Sequence, residues 1–288
     1  MILREALQSA VQTLHRAGIA DAFIEAELLL GHVLGMSKTQ LYTEPERRLT
    51  QAEAEHLRQL VQRRLNREPV PYILGRCEFY GIDFCIDHRT FIPRPETELL
   101  VEEAIEVAQG LFRPGKQTTF ADIGTGCGAI AITLALTIPE AMIYAIDISA
   151  SALEVAKVNC QRHGVEGRID LLQGDLLEPL PEPVDMIVAN LPYVREGELG
   201  ELSPEVGFEP RLALAGGEDG VEKIQRLLEQ MPGKVNSQWC LLLEIGQGED
   251  EIVTRLVTRY FPQASIEMIP DLGGIPRVVK AVLRKEER

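Results

Sequence analysis

The sequence predicts an α/β protein: a mostly parallel sheet with helices on both faces, preceded by a small all-α domain and a linking β-hairpin. Three observations carry this prediction. Apolar residues recur at helical spacing through residues 1–68, the period changes to two near residue 82, and strand and helix patterns alternate from residue 118 onward. Such alternation is typical of a parallel sheet covered on both faces. A chain of 288 residues accommodates one large domain and a small companion.

The N-terminal segment is predicted to consist of helices with short breaks. Apolar residues from Leu3 to Leu14 recur at helical spacing, and residues 22–34 form a second apolar-rich helix. Residues 50–53 have the capping-box pattern that opens a third helix. Pro69 and Pro71 are expected to end it, because proline lacks the N–H that a helix interior needs.

The linking hairpin is predicted from alternation. Apolar and polar residues alternate over residues 82–87, which indicates a short β-hairpin. We therefore place a helical domain at residues 1–75, the hairpin linker at 76–93 and the large domain at 94–288. Pro95 is expected near the first position of the helix that follows.

The large domain is predicted to contain seven strands and at least four helices. The strands are expected at residues 120–123, 142–146, 169–172, 186–189, 239–244, 265–269 and 278–283, and the helices at 129–136, 150–163, 221–230 and 250–260. Only residues 270–277 join the last two strands. That connection is too short for a parallel crossover, so this pair should be antiparallel.

Composition excludes several classes of protein. With 45% hydrophobic and 25% charged residues, the chain matches a folded globule rather than a disordered or collagen-like one. The net charge of −15 lies outside residues 1–75, which hold nine basic and nine acidic side chains. An acidic body repels phosphate backbones, so we expect no direct nucleic-acid contact. The five cysteines include no C-x-x-C pair and the five histidines lack ligand spacing, so we expect reduced thiols and no metal site.

The start of the chain and its hydropathy predict a location. Charged residues interrupt the first five positions, unlike a secretory signal, and no apolar run approaches the roughly 20 residues that span a bilayer. We expect a cytoplasmic protein that makes no membrane contact and, as the simplest expectation, a monomer.

A glycine-rich loop follows the first predicted strand of the sheet and opens the next helix. It runs from Asp122 through Gly124, Gly126 and Gly128, and Asp147 lies at the end of the following strand. Glycines allow a sharp turn and close approach of a ligand, while the later carboxylate is placed to accept hydrogen bonds from two ribose hydroxyls. The pattern predicts an adenosine-containing ligand.

Two cofactors fit this loop. Gly124, Gly126 and Ala129 also satisfy the dinucleotide fingerprint, so a nicotinamide oxidoreductase is an alternative. Asp122 favours S-adenosylmethionine, because a carboxylate at the mouth of the loop opposes a pyrophosphate but suits cationic sulfonium and ammonium groups. Asp175, after the third strand, either binds the adenine amine or is a solvated loop carboxylate.

The reaction is indicated by the tetrapeptide that follows the fourth strand, Asn190-Leu191-Pro192-Tyr193. An Asn at the carboxyl end of a parallel strand faces the ligand crevice, and the proline stiffens the backbone so that the Leu191 carbonyl lies beside the Asn190 amide oxygen. Two such acceptors hold a planar NH2 group in line with a methyl donor and stabilise positive charge that grows on nitrogen, while Tyr193 stacks on the group. Alone, the tetrapeptide is also consistent with an ordinary Asn-X-Pro turn.

Together these motifs resemble those of the peptide chain release factor N5-glutamine methyltransferases, a class I S-adenosylmethionine-dependent family. The likeness covers nearly the whole chain and is carried by residues 71–75, 91–98, 122–128, 190–193, 209–214 and 243–246. It implies a Rossmann-like class I methyltransferase sheet and methyl transfer to the side-chain amide of the glutamine in the Gly-Gly-Gln loop of class-1 release factors, which modulates translation termination.

The resemblance also implies roles for individual residues. Cofactor contacts are implied for Gly124, Thr125, Gly126, Cys127, Gly128, Asp147, Leu176 and Asn190. Asn190 to Tyr193 would receive the glutamine, and Phe91 and Arg94 would close over the site. Arg94 is equally consistent with an ion pair to Glu96 or Glu98. The helical domain is implied to dock the release factor, with a merely stabilising bundle as the alternative.

The chain departs from the family pattern at three places, and two other functions are alternatives. Leu191 replaces the first proline of the usual motif, Cys127 replaces a commoner serine, and residues 275–277 replace a more polar segment. The Asn-Pro-Pro-Tyr type of motif also occurs in enzymes that methylate amino groups of adenine, cytosine and guanine. A cofactor-binding docking module without catalysis is the third hypothesis.

Overall fold

The computed structural model describes residues 1–111 and 118–284. Two compact units divide the chain. The first comprises Met1–Arg76 with Ser203–Phe208, and the second comprises Cys77–Leu202 with Glu209–Arg288. The sequence did not indicate that residues 203–208 group with the helical unit.

The first unit is built from five helices around an apolar core. They are α1 (Leu3–Arg16), α2 (Ala22–Leu34), α3 (Lys38–Thr43), α4 (Gln51–Leu65) and α5 (Val70–Leu74). The predicted capping box opens α4: Thr50 Oγ1 accepts from Glu53 N at 3.1 Å, and Glu53 Oε2 accepts from Thr50 N at 2.7 Å. The short α5 was not predicted. Pro71 lies in its first turn, where a missing N–H costs nothing.

A two-residue turn joins the strands of the predicted hairpin, β1 (Arg76–Phe79) and β2 (Ile82–Cys85). Tyr80 and Gly81 have φ of 53° and 71°. Two successive positive φ values are typical of hairpin turns whose twist matches that of the strands.

The second unit contains the predicted sheet. Its elements after the hairpin are α6 (Thr97–Leu111), β3 (Thr118–Ile123), α7 (Ala129–Thr137), β4 (Ala141–Asp147), α8 (Ala150–His163), β5 (Ile169–Gln173), β6 (Val184–Ala189), β7 (Val194–Arg195), β8 (Ala215–Gly217), α9 (Glu222–Gln230), β9 (Val235–Glu244), α10 (Asp250–Tyr260), β10 (Ser265–Pro270) and β11 (Pro276–Leu283). Seven strands pair in the order β10-β11-β9-β6-β3-β4-β5. The central pairs are parallel, and β11 is antiparallel to both β9 and β10, which confirms the predicted class and the antiparallel last pair.

The structure differs from the sequence prediction at short elements. Helix α6 begins at Thr97, because Pro95 and Glu96 form a turn before it. Between β6 and α9 the chain forms three 3-10 turns and the parallel pair β7–β8, which are too short to produce a periodic pattern. Among the described residues, no helix combines the length and apolarity that crossing a bilayer requires.

Candidate active site

The predicted site residues meet in one cleft at the carboxyl ends of β3, β4 and β6. The glycine loop follows β3, Asp147 ends β4, and Asn190 follows β6. Parallel strands present their carboxyl ends at the same edge, which is where open α/β sheets bind ligands. Of the predicted residues, those that line the cleft are Phe91, Gly124, Thr125, Gly126, Cys127, Asp147, Asp175, Leu176, Asn190, Leu191, Pro192 and Tyr193.

The glycine loop is a backbone turn attached to the neighbouring strand. Gly124 and Gly126 have φ of 75° and 57°, a region that side chains disfavour. The N–H groups of Gly124 and Thr125 donate to the Ile146 carbonyl at 2.8 and 3.0 Å. A Cβ on Gly124 would lie 3.4 Å from Leu191 Cδ2, so the loop approaches the Asn190 segment closely. The loop therefore presents backbone to the cleft, as the sequence predicted.

Gly128 has a packing role, and its implied cofactor contact stays a prediction. It is absent from the cleft wall and precedes α7 with φ of 85°. A Cβ there would lie 3.0 Å from Ile132 Cδ1 and 3.4 Å from Ala156 Cβ. The glycine is required because the start of α7 packs tightly against α8.

Asp122 corrects the sequence prediction, because it lies beneath the loop instead of at its mouth. The side chain is fully buried and does not line the cleft. Its Oδ2 accepts from Thr125 Oγ1 at 2.6 Å and from Ala131 N at 3.1 Å. Burial raises the pKa of the Asp122 carboxyl to about 7, with Asp147 adding to the effect. Asp122 thus supports the loop from below.

Asp147 lies in the cleft with both oxygens already oriented. Its Oδ2 accepts from Gly126 N and its Oδ1 from Ser149 N, each at 2.9 Å. Burial raises its pKa, while these backbone donors oppose the increase. A carboxylate held by two backbone N–H groups keeps its remaining lone pairs available in a defined direction.

Asp175 and Leu176 form the rim of the cleft beyond β5. The Asp175 carboxylate lines the cleft and forms an ion pair with Arg226 of α9, so the adenine contact stays a prediction. Leu176, beside it, has φ of 53° and is buried, yet it reaches the cleft wall. This strained conformation turns the chain so that an apolar side chain faces the cleft.

The tetrapeptide after β6 places a carboxamide at the centre of the cleft. Asn190 Nδ2 donates to Thr97 Oγ1 at 3.0 Å, which leaves the amide oxygen as the group available to a ligand. Leu191 is buried in the apolar core and contacts the glycine loop region. Its side chain is therefore fixed by packing against this core.

The Tyr193 ring packs directly against a glycine, Gly246. A Cβ on Gly246 would lie 3.0 Å from Tyr193 Cδ2, so only glycine allows the ring to lie there. Burial raises the pKa of the Tyr193 hydroxyl, so the ring is neutral at physiological pH. It lines the cleft next to Asn190.

Arg94 holds the Phe91 loop in place from outside the cleft wall. Its guanidinium lies 4.5 Å from the centre of the Phe91 ring and forms an ion pair with Glu209. The same carboxylate accepts from Ile92 N at 3.1 Å. Arg94 does form an ion pair, but the expected partners Glu96 and Glu98 were wrong: the partner is Glu209, and Glu98 accepts from Tyr80 N.

Sequence reasoning missed four residues that shape the cleft. Thr97 accepts a hydrogen bond from Asn190, and Glu209 anchors the Phe91 loop through Ile92 N. Glu244 lies beside Asn190. Ile148, half exposed on the cleft wall, offers an apolar surface beside Asp147. Ile148 had a local signal, an apolar residue directly after a strand-terminal carboxylate, and the other three lie in segments that carry the family resemblance. Among the described residues, no cluster of His, Cys, Asp and Glu has the arrangement of a metal site.

Comparison with known proteins identifies relatives over nearly the whole chain. A family model for the PrmC N-terminal domain matches residues 5–75, and one for the methyltransferase small domain matches residues 97–203. The release factor glutamine methyltransferase of Moorella thermoacetica is 38% identical over 287 residues, 99% of this chain and 100% of the relative. That of Chlorobaculum tepidum is 39% identical over 281 residues, 95% and 94% of the two chains.

Solved structures show the same fold at low identity. The hMettl16 catalytic domain, in complex with MAT2A 3'UTR hairpin 6, superposes with a TM-score of 0.57 and 13% identity, covering 83% of this chain and 84% of that chain. At this identity, the likeness describes the architecture of the sheet and its helices.

Proposed function

Because this chain belongs to the release factor glutamine methyltransferase family, we propose that its cleft transfers a methyl group from S-adenosylmethionine to the side-chain amide nitrogen of a release-factor glutamine. The chain is thus a methyltransferase. The observation that carries the reaction is the position of Asn190, whose amide nitrogen is held by Thr97 and whose oxygen is left for the cleft.

The residues present fit S-adenosylmethionine. The glycine loop offers backbone where a Cβ on Gly124 would crowd Leu191, and Asp147 offers a carboxylate that backbone donors hold in the cleft. We propose that Asp147 receives the ribose hydroxyls and that Ile148 and Leu176 contact the adenine ring. The Asp147 carboxylate in the cleft suits a cationic cofactor better than a pyrophosphate.

The cofactor, when bound, supplies an electrophilic methyl group on a sulfonium sulfur. The chain's own residues prepare the acceptor. Asn190 Oδ1 and the Leu191 carbonyl accept the two N–H groups of the glutamine amide and stabilise the positive charge that grows on its nitrogen, until one of the two protons leaves the nitrogen for bulk solvent. Pro192 limits movement of this backbone, and the Tyr193 ring contacts the planar amide. Two fixed acceptors orient the nitrogen toward the methyl group, which removes much of the entropic barrier.

Glu209 and the Phe91 loop form the entrance on the acceptor side. Phe91 and Pro93 line the cleft, while the buried Glu209 carboxylate anchors the loop through Ile92 N and Arg94. We propose that this loop contacts the residues that flank the substrate glutamine.

We also propose that the helical unit docks the release factor. Four large apolar side chains on α2 and α3 are exposed: Phe23, Ile24, Leu28 and Tyr42. Exposed apolar side chains gathered on neighbouring elements are typical of protein-binding surfaces. Phe23→Ser should raise the KM for the release factor. Val158→Ser, at an equally exposed site on α8, should not.

A cytoplasmic monomer that binds no nucleic acid completes the proposal. The net charge of −15 supports the absence of nucleic-acid contacts. The five cysteines, all described, are free thiols, which suits a reducing compartment. Light scattering of the purified protein tests the monomeric state, and titration with RNA tests the absence of nucleic-acid binding.

The activity is tested directly with labelled cofactor. The purified chain, methyl-labelled S-adenosylmethionine and a class-1 release factor should give a labelled release factor. A release factor whose Gly-Gly-Gln glutamine is replaced by asparagine should remain unlabelled. Equal labelling of both would refute the assigned glutamine, and labelling of neither would refute the proposed activity.

A further inference from the structure

A buried carboxyl behind the site has no role in the reaction as described so far. Glu244 ends β9 and is 3% exposed. Within the described part of the chain, its Oε2 has no hydrogen-bond partner. A carboxyl group buried in this way loses its hydration and normally destabilises a protein, so its position requires an explanation.

Glu244 lies directly beside the carboxamide that we place in the reaction. Strands β6 and β9 are parallel neighbours with Ala189 opposite Leu243, so Asn190 and Glu244 follow at the same level. Thr97 and Asn190 are both hydrogen-bonding neighbours of the Glu244 carboxyl. Asn190 Nδ2 also donates to Thr97 Oγ1 at 3.0 Å. The three side chains form one cluster, in which Thr97 and Glu244 are buried and Asn190 reaches the cleft.

The charged groups around this cluster come from other elements. Glu96, before α6, raises the pKa of Glu244, and Arg277 of β11 lowers it. Tyr193 faces the same carboxyl, which raises the pKa of its hydroxyl. Burial dominates and raises the pKa of Glu244 to about 7.

The chemistry of the carboxylate decides which way an asparagine points. An ionised carboxylate only accepts hydrogen bonds, so it attracts the NH2 end of a carboxamide and the hydrogen of a hydroxyl. A hydroxyl that donates to the carboxylate has its lone pairs free to accept from Asn190 Nδ2. Both interactions turn the Asn190 nitrogen inward. A carboxamide rotated by half a turn fills the same space but would present NH2 to the substrate NH2, and two donors cannot bond.

We propose that Glu244 is a positioning residue that, together with Thr97, selects the orientation of the Asn190 carboxamide in which Oδ1 faces the substrate amide. The inference rests on the proposed methyl transfer to an amide. Glu244 does not touch the substrate; it acts through Asn190.

The orientation depends on protonation. A protonated Glu244 carries its own donor, which stabilises the rotated carboxamide by binding Asn190 Oδ1. The fraction of correctly oriented enzyme should therefore fall as pH falls through the pKa of Glu244. Because that pKa is raised into the neutral range, kcat should have an acidic limb that reports on this residue.

The test uses variants of nearly unchanged shape. Glu244→Gln keeps the volume but supplies an NH2 donor, and Thr97→Val removes the hydroxyl that Thr97→Ser retains. Asp185→Asn is the matched control: it changes another buried carboxyl, which accepts from Thr119 N at 3.0 Å at the opposite end of β6. Each protein is assayed for release-factor methylation from pH 5.5 to 9, for cofactor affinity by calorimetry and for thermal unfolding.

We expect Glu244→Gln and Thr97→Val to lower kcat by about 10- to 100-fold with unchanged cofactor Kd, the cost typical of a misplaced reacting group. Thr97→Ser should recover most of the activity, Asp185→Asn should match the wild-type kcat, and Glu244→Gln should lose the acidic limb. Wild-type kcat and pH profile in Glu244→Gln would overturn the proposal. So would a loss accompanied by equal loss of cofactor affinity, which indicates a structural role. An inactive wild type would instead refute the proposed function.

Discussion

One half of the cleft is held by backbone and the other by side chains from distant parts of the sequence. In the cofactor half, formed by residues 122–128 and Asp147, carboxylates accept from backbone N–H groups no more than 21 positions away. In the acceptor half, formed by residues 190–193 and their supports, Asn190 contacts a residue 93 positions away and Arg94 one 115 positions away.

This difference indicates that the cofactor half determines cofactor binding and that the acceptor half determines turnover. The cofactor half presents the same backbone and carboxylate surface before and after reaction, so its interactions stabilise the bound cofactor in the ground state. The acceptor half provides oxygens that meet positive charge only as the reaction proceeds, so its interactions act on the transition state. Substitutions in the two halves should therefore alter different kinetic constants.

The largest effect should come from the acceptor half. Asn190→Ala removes one of the two oxygens that hold the amide, so kcat should fall about 100- to 1,000-fold, as with loss of an oxyanion-hole donor. Cofactor Kd should not change. Asn236→Ala, which removes an exposed amide that donates to Asp185 at 2.7 Å and lies away from the cleft, should leave kcat unaltered. If Asn190→Ala had the wild-type kcat, the acceptor half would not determine turnover as proposed.

The cofactor half should show the opposite pattern. Asp147→Asn weakens the charge-assisted bonds proposed for the ribose hydroxyls and should raise cofactor Kd about 10- to 100-fold. The kcat at saturating cofactor should stay near wild type. Asp170→Asn, an exposed carboxylate on β5, serves as the control with unchanged Kd. If calorimetry found equal Kd for Asp147→Asn and wild type, the ribose assignment would be wrong.

Within the acceptor half, the anchor of the Phe91 loop should affect release-factor binding. Glu209→Gln weakens its pairing with Arg94, so the KM for the release factor should rise about tenfold while cofactor Kd stays constant. Glu196→Gln is matched to it, since Glu196 pairs with Arg211 on the surface, where ion pairs contribute little. Steady-state kinetics that gave the two variants the same KM would contradict a role for the buried anchor.

The smallest effect concerns the carboxyl beneath the glycine loop. The folded-state pKa of Asp122 is raised to about 7, so its contribution to stability is full at low pH and is lost as pH rises toward 7. Asp122→Asn cannot lose a proton, so its Tm relative to wild type should increase by roughly 2–5 °C between pH 4.5 and 7.5. Asp170→Asn should show no such trend. A relative Tm of Asp122→Asn that falls with pH would reverse the assigned sign.

The local parts of this account could be predicted from sequence. The glycine loop, Asp147 and Asn190 follow strands whose apolar patterns are clear, and a parallel sheet brings its carboxyl ends to one edge. The antiparallel last pair followed from the short connection between β10 and β11.

The supporting contacts could not be predicted in the same way. Thr97, Glu209 and Glu244 lie in segments that carry the family resemblance, but their partners are on other elements, and no local pattern indicates those partners. The placement of Asp122 beneath the loop was missed for a related reason: charge alone favoured the cleft, but Thr125 Oγ1 and Ala131 N supply partners that allow burial.

The most direct test is a crystal structure of the chain with S-adenosylhomocysteine and a peptide that contains Gly-Gly-Gln. The account predicts the glutamine side-chain nitrogen at about 2.7–3.2 Å from both Asn190 Oδ1 and the Leu191 carbonyl oxygen, facing the cofactor sulfur. A glutamine amide bound elsewhere in the cleft, or an Asn190 side chain turned away from it, would contradict the proposal that Asn190 and Leu191 hold the substrate amide.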